Sequence, residues 1–447
     1  MKNSFLILFL LIVLNLQSQI KGNLKSHAGQ KIELTGYNNF KSEVLGVTTL
    51  DSLGNFTLIY PNTYKGMAFL KAEDKSSLAF ILTEKEIKIN GNHLTEKENL
   101  RFTNSDENIA FTQYFEDFQR RRKTTIAWYY LKNQYKKDMF FSNQKNVLKN
   151  IDKELIRIDK DDTNYLDNLS KEKYVSWFLP LKKMVSNMQI IVKYNKQEIP
   201  KLIKSFRKID FNNPKFKTSG LLQDLISGHY VFIENSGMQI DSLYKEMNES
   251  SDYILSNLRE NENLLNETGE YLFDFLEQRS LHKASEYLAA QLVNLNGCNL
   301  NDKLVNKLEL YRKLKPGKTA PEILFSDNTK LSDIKSIKLL VFGASWCPKC
   351  KEDIIKLYNN YSAWKQKRVE VVYLSIDTNK TDFENIYKNV PWKTDCQFKG
   401  WDTKAVKEYH VFATPTYFLL DKDLKIILRP NSVEQTNSWI SSNIHPN

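Results

Sequence analysis

The 447-residue chain has only four cysteines and six histidines, and it lacks any apolar run long enough to cross a membrane. Its N-terminal apolar run, Phe5 to Leu14, is about ten residues long, whereas a spanning helix needs roughly 20. There is no fixed-period repeat and no low-complexity tract, which sets aside solenoids and disordered arrays. A net charge of +11 comes without a basic stripe, because the lysines are scattered among glutamates and asparagines. The tightest basic cluster, Arg120 to Lys123, falls in a helical stretch and reads as a solvated face, so nucleic acid is not an expected partner. No histidine has a partner at catalytic spacing, which removes the basis for a hydrolase. A zinc site needs two ligands beyond one cysteine pair, and only Cys396 and His410 follow, singly.

What is present begins with the N-terminus. Lys2, the apolar run and the small residue ending Leu16-Gln17-Ser18 form a secretory signal pattern, with a mature chain expected from near Gln19. Residues 1–19 are therefore read as a cleaved signal peptide, placing the protein in a periplasm or cell envelope with no membrane span after cleavage. The remaining residues suit two or three domains, and 41% hydrophobic with 12% aromatic residues is ample for real cores.

Three regions follow. Over 20–97, strand-length runs such as "KIELTGY", "FTLIYP", "MAFLKAE", "LAFILTE" and "EIKING" alternate with turn residues, which predicts a small antiparallel β domain. Over 98–315, segments such as "NIAFTQYFEDFQRRRK" and "YLFDFLEQRSLHKASEYLAAQLVNL" space apolar residues three and four apart, which predicts an α-helical region broken near Pro180, Pro200 and Pro214. Trp128, Tyr129, Tyr130 and Trp177 within it read as core. "KLKPGKTAPE" has the composition of a linker, and over 316–447 a strand, helix, strand opening leads to a hairpin and closing helix, an α/β layer architecture.

The chemistry concentrates in "GASWCPKCKED", from Gly343 to Asp353. Cys347 follows a strand and opens a helix, where unpaired amides and the helix dipole favour a thiolate. Two intervening residues put Cys350 one helical turn on, within reach of a mixed disulfide formed at Cys347. Pro348 is tolerated in a first turn, and Lys349 is expected to add positive charge beside the sulfur. An inert bridge is the competing reading, but a loop this short constrains the unfolded chain little. Cys298 and Cys396 remain, either bridged or as free thiols. His410, at a helix end, is placed where a cation is favoured.

"GASWCPKC", "FATPTYFLLDKD" and the element order joining them resemble the thioredoxin fold, specifically the exported TlpA/ResA-like thiol-disulfide oxidoreductases. "TLDSLGNFTLIYP" and "NSDENIAFTQYF" resemble the N-terminal β domain and helical region found in a subset of that family. The resemblance implies that Cys347 is the nucleophile and Cys350 the resolving thiol. It also implies that Trp346 flanks the site and that Thr414-Pro415, with a cis proline, is the substrate platform. Two departures stand out. Val341 occupies the position where thioredoxins carry a buried acid, leaving Glu352 and Asp353 as candidates for proton transfer, and Ile355 replaces a helix-bending proline. The implied activity is dithiol/disulfide exchange with exported client proteins, most simply as a reductant supplied by a membrane-linked thiol donor. No cofactor or metal is expected. An oxidase or isomerase, or an envelope binding protein with a secondary redox domain, are the alternatives.

Overall fold

The computed structural model of the protein describes residues 17–296 and 300–444, so residues 1–16 of the segment expected as a signal peptide, and Cys298, lie outside the described residues. The chain divides into two compact units, one ending at Leu264 and one starting at Leu265.

Among the described residues, the first unit opens with eight strands: β1 (Gln17–Leu24), β2 (Lys31–Asn38), β3 (Lys41–Thr49), β4 (Asn55–Pro61), β5 (Gly66–Ala72), β6 (Ser77–Leu82), β7 (Glu86–Gly91) and β8 (Arg101–Phe102). They form two four-stranded sheets, ordered β4-β1-β7-β8 and β3-β2-β5-β6, over one shared hydrophobic core. Pairing is antiparallel throughout except between β1 and β7. Strict alternation in β4 turns Phe56, Leu58 and Tyr60 inward, as a half-buried strand requires. The turn before it is held by the Asp51 carboxylate, which accepts from the amides of Leu53 at 2.9 Å and Asn55 at 2.8 Å, while Gly54 takes a φ of +83°. Strand β3 has no signature in the sequence because its first four residues are all exposed, which leaves no apolar alternation to read.

Six helices follow in this unit: α1 (Asp106–Lys137), α2 (Lys145–Asp167), α3 (Tyr174–Tyr194), α4 (Ile199–Phe206), α5 (Leu221–Glu234) and α6 (Ile240–Asn257). Ser105 caps α1 by accepting from the Asn108 amide. The Asn108 side chain then bonds both the N–H and the carbonyl of Ile81, tying the helix start to β6. Pro200 and Pro214 stand at element starts, as expected. Pro180 does not break its helix but sits inside α3. Burial of Val175, Phe178 and Leu179 beside it outweighs the one backbone bond the ring removes.

In the second unit α7 (Glu262–Gln278), α8 (His282–Asn296) and α9 (Asp302–Arg312) precede a five-stranded sheet. The sequence reads α7 and α8 as continuous, but Ser280 takes a φ of +57° and turns the chain between them. The sheet contains β9 (Ile337–Gly343), β10 (Val369–Ser375), β11 (Lys393–Cys396), β12 (Thr416–Leu420) and β13 (Ile426–Leu428), in the order β11-β10-β9-β12-β13. Strands β11, β10 and β9 run parallel, and β12 and β13 complete the sheet antiparallel. Helices α10 (Pro348–Gln366), α11 (Lys380–Tyr387), α12 (Lys404–Glu408) and α13 (Val433–Asn443) complete this thioredoxin-like α/β domain. The proline-rich segment at 313–322 is anchored by backbone bonds from Gly317 to Ile426 and from Ala320 to Leu424. Cys396 ends the edge strand β11, where the sequence suggests an insertion; four residues with three polar ones carry no periodic signal.

Candidate active site

The site forms where β9 ends and α10 begins. Gly343 closes the strand because a Cβ there would come within 1.9 Å of the Tyr373 hydroxyl. The next residues are clamped from the neighbouring strand. Asp377, buried just beyond β10, accepts from the Ser345 amide at 3.1 Å and from Ser345 Oγ at 2.7 Å. Parallel pairing of Ser375 with Gly343 carries Asp377 alongside Ser345.

Cys347 is the N-cap of α10 and Pro348 occupies its first turn. The Cys350 amide donates to Cys347 Sγ at 3.1 Å, and the two sulfurs are joined in a disulfide with Cα atoms 5.3 Å apart. Cys347 is 4% exposed and Cys350 1%, so both cysteines are buried, whereas Trp346 is 56% exposed. The Thr414 carbonyl oxygen lies 3.3 Å from Cys347 Sγ, and the Thr414-Pro415 bond is cis. Pairing of Thr416 with Phe342 fixes that loop beside the strand that delivers the cysteines. Thus Trp346, Cys347, Cys350, Thr414 and Pro415 converge.

The two acidic candidates separate. Glu352 is exposed, with its carboxylate 3.7 Å from Lys349 Nζ. Asp353 is buried, accepting from Lys349 Nζ at 2.8 Å and from the Tyr417 hydroxyl. Tyr417 is the cross-strand partner of Val341, and both lie in one core cluster. The Asp353 carboxylate therefore reaches from the helix to the sheet face that Val341 leaves apolar. Burial, and then the bond to Asp353, push the Tyr417 phenol far up, so it stays a donor. Lys349 is engaged with Asp353 rather than left as a free charge beside the sulfur.

One expectation changes, and one alternative left open is decided. His410 follows α12 in a left-handed conformation, and burial, then the Arg429 guanidinium, push its ring below the usual imidazole range, so it is not the helix-end cation expected. Cys396 is a buried free thiol donating to the Asp377 carbonyl at 3.3 Å, and burial pushes its pKa up, which makes it unreactive.

Sequence reasoning missed Asp377 and Tyr417. The acid ending the apolar run "VVYLSID" was a usable signal, because parallel strands bring such an end beside the preceding strand's turn. Tyr417 carried none: nothing local distinguishes a tyrosine in a strand from any other core residue.

Residues 335–426 match the family described as thioredoxin-like. The chain is 31% identical over 121 residues to the thiol-disulfide oxidoreductase ResA of Bacillus cereus (strain ZK / E33L), spanning 26% of this chain and 69% of that protein. It is 28% identical over 120 residues to ResA of Bacillus subtilis (strain 168), spanning 25% of this chain and 64% of that one. Among solved structures, a thiol-disulfide oxidoreductase from Bacteroides fragilis NCTC 9343 is 25% identical with a TM-score of 0.26, covering 28% of this chain and 98% of that one. A relative sharing nearly a third of its aligned residues over more than two thirds of its length fixes the kinship: this chain belongs to the ResA-like thiol-disulfide oxidoreductases of the thioredoxin superfamily.

Proposed function

We propose that the protein works outside the cytoplasm as a reductant of client disulfides, through Cys347 and Cys350. The observation that supports exchange at Cys347 is the setting of its Sγ, which takes the Cys350 N–H at 3.1 Å and faces the Thr414 carbonyl at 3.3 Å; the direction rests on the kinship with ResA-like proteins. In the dithiol form the amide favours the thiolate, while the carbonyl can accept from the thiol, so both protonation states find a partner.

The Cys347 thiolate attacks one sulfur of a client disulfide, forming a mixed disulfide and releasing the other client sulfur as thiolate. Cys350, deprotonated in turn, attacks Cys347 Sγ, which frees the second client thiolate and leaves the Cys347–Cys350 disulfide. Two electrons have passed to the client, and a thiol donor linked to the membrane restores the dithiol. Asp353 is the group we assign to take the Cys350 proton, since it lies one turn beyond that cysteine and is buried. Trp346 and the Thr414-Pro415 loop receive the client segment. Export is supported by the N-terminal signal pattern, and no helix among the described residues is long and apolar enough to cross a membrane.

The test is the reduction potential of the pair, measured by equilibrating the protein with dithiothreitol or glutathione and trapping free thiols. A value near or below about −250 mV supports reduction; one of about −120 to −180 mV would assign the protein to oxidation or isomerisation instead.

A further inference from the structure

The segment that holds the site also presents a second tryptophan. Trp401 lies in the short turn Gly400–Asp402, and it is 43% exposed although its backbone is well fixed. Asp402 N bonds the Lys399 carbonyl at 3.0 Å, and the Thr403 hydroxyl bonds the Gly400 carbonyl at 2.8 Å. Gly400 takes a φ of +56°, and a Cβ there would come within 3.1 Å of the Thr378 side chain. Thr378 directly follows Asp377, whose carboxylate grips Ser345 just before Trp346. One short stretch therefore seats both tryptophans, and their rings stand 6.5 Å apart, tilted by 54°.

Two large apolar side chains held exposed by ordered backbone, beside a cysteine that is itself only 4% exposed, form a surface rather than a scatter. A client sulfur can reach Cys347 only if the chain on either side of it lies against this neighbourhood. Indole faces bind apolar and aromatic groups and do little for small polar ones. Phe412, two residues before Thr414, is also 39% exposed.

We propose that Trp401 is a specificity-determining residue: with Trp346 it forms an aromatic platform that selects client segments carrying a large apolar side chain next to the attacked cysteine. The proposal rests on the assignment of Cys347 as the attacking sulfur.

It is tested with the full chain, in the dithiol form, against two disulfide-bonded peptides that differ at one position beside the cysteine, tryptophan in one and serine in the other. The wild type is expected to favour the tryptophan peptide in kcat/KM by about tenfold. In Trp401→Ala that ratio falls to near one, and Trp401→Phe restores part of it. Damage to the fold would lower both peptides by the same factor and leave the ratio alone, which would overturn the proposal, as would equal rates on the two peptides in the wild type. If the wild type reduces neither peptide, the attack by Cys347 fails and this proposal falls with it; equal, measurable rates sink the platform alone.

Discussion

The buried pair of Glu277 and Arg429 gives the sharpest energetic prediction. Arg429 follows β13 and Glu277 lies in the last turn of α7, both side chains are 3% exposed, and Nη2 donates to Oε2 at 2.8 Å. Ser285 also donates to the carboxylate, and His282 Nδ1 lies 3.2 Å from it. Burial alone would raise the Glu277 carboxyl, but Arg429 and then His282 overcome it and hold the group at about 2. From an ordinary carboxylate value near 4.5, that interval is worth about 3 kcal/mol. Because the folded value is the lower one, this stability is complete above about pH 4.5 and drains away as pH falls toward 2. Glu277→Gln at neutral pH leaves a guanidinium buried against a neutral amide, at a cost of about 3 to 5 kcal/mol. The double change Glu277→Leu, Arg429→Met removes both charges and should recover most of that loss. Urea unfolding of the oxidised protein, followed by labelling of buried Cys396 in a Cys298→Ser background, reports this unit. With a slope of about 2 to 3 kcal/mol per molar, the midpoint for Glu277→Gln should fall by about 1 to 2 M. A fall under about 0.3 M, or a wild-type loss between pH 4.5 and 2 no steeper than that of the variant, would refute a charge pair sealed from water.

Two further predictions address the redox centre. Cys350→Ser should accumulate a client adduct on Cys347 that dithiothreitol releases, and Asp353→Asn should accumulate the same adduct transiently, most visibly at low pH. Non-reducing gels read both, and an Asp353→Asn protein that resolves its adduct at the wild-type rate at every pH would remove that residue from proton transfer. Asp377→Asn keeps the shape but sets an amide against the Ser345 and Ser375 donors, so at least one buried donor loses its acceptor. The expected cost is about 2 kcal/mol in urea unfolding, with slower reduction of peptide disulfides; unchanged values for both would show that Ser345 needs no carboxylate.

How far the sequence carried the reading depended on where each feature's signal is stored. Strands such as β4 announce themselves because the period of two is written into adjacent residues, and α1 because its cap and apolar spacing are local. Strands β3 and β11 do not: β3 opens with four exposed residues, and β11 is four residues long with three polar ones, so neither carries a readable alternation. The cysteine pair was legible for the same reason as the helices: attack and resolution require a fixed spacing along the chain. What sets the terms of that chemistry was not legible. Asp377 acts 32 residues from Ser345, and Tyr417 meets Asp353 across 64. Such contacts exist only once parallel and antiparallel pairing has put β10 and β12 on either side of β9. The buried acid that thioredoxins carry on the strand is absent at Val341, yet a carboxylate still reaches that face, delivered from the helix and braced by the tyrosine opposite. A position-by-position comparison reads this as a missing group, whereas the sheet register shows a buried carboxylate beside the same face by another route.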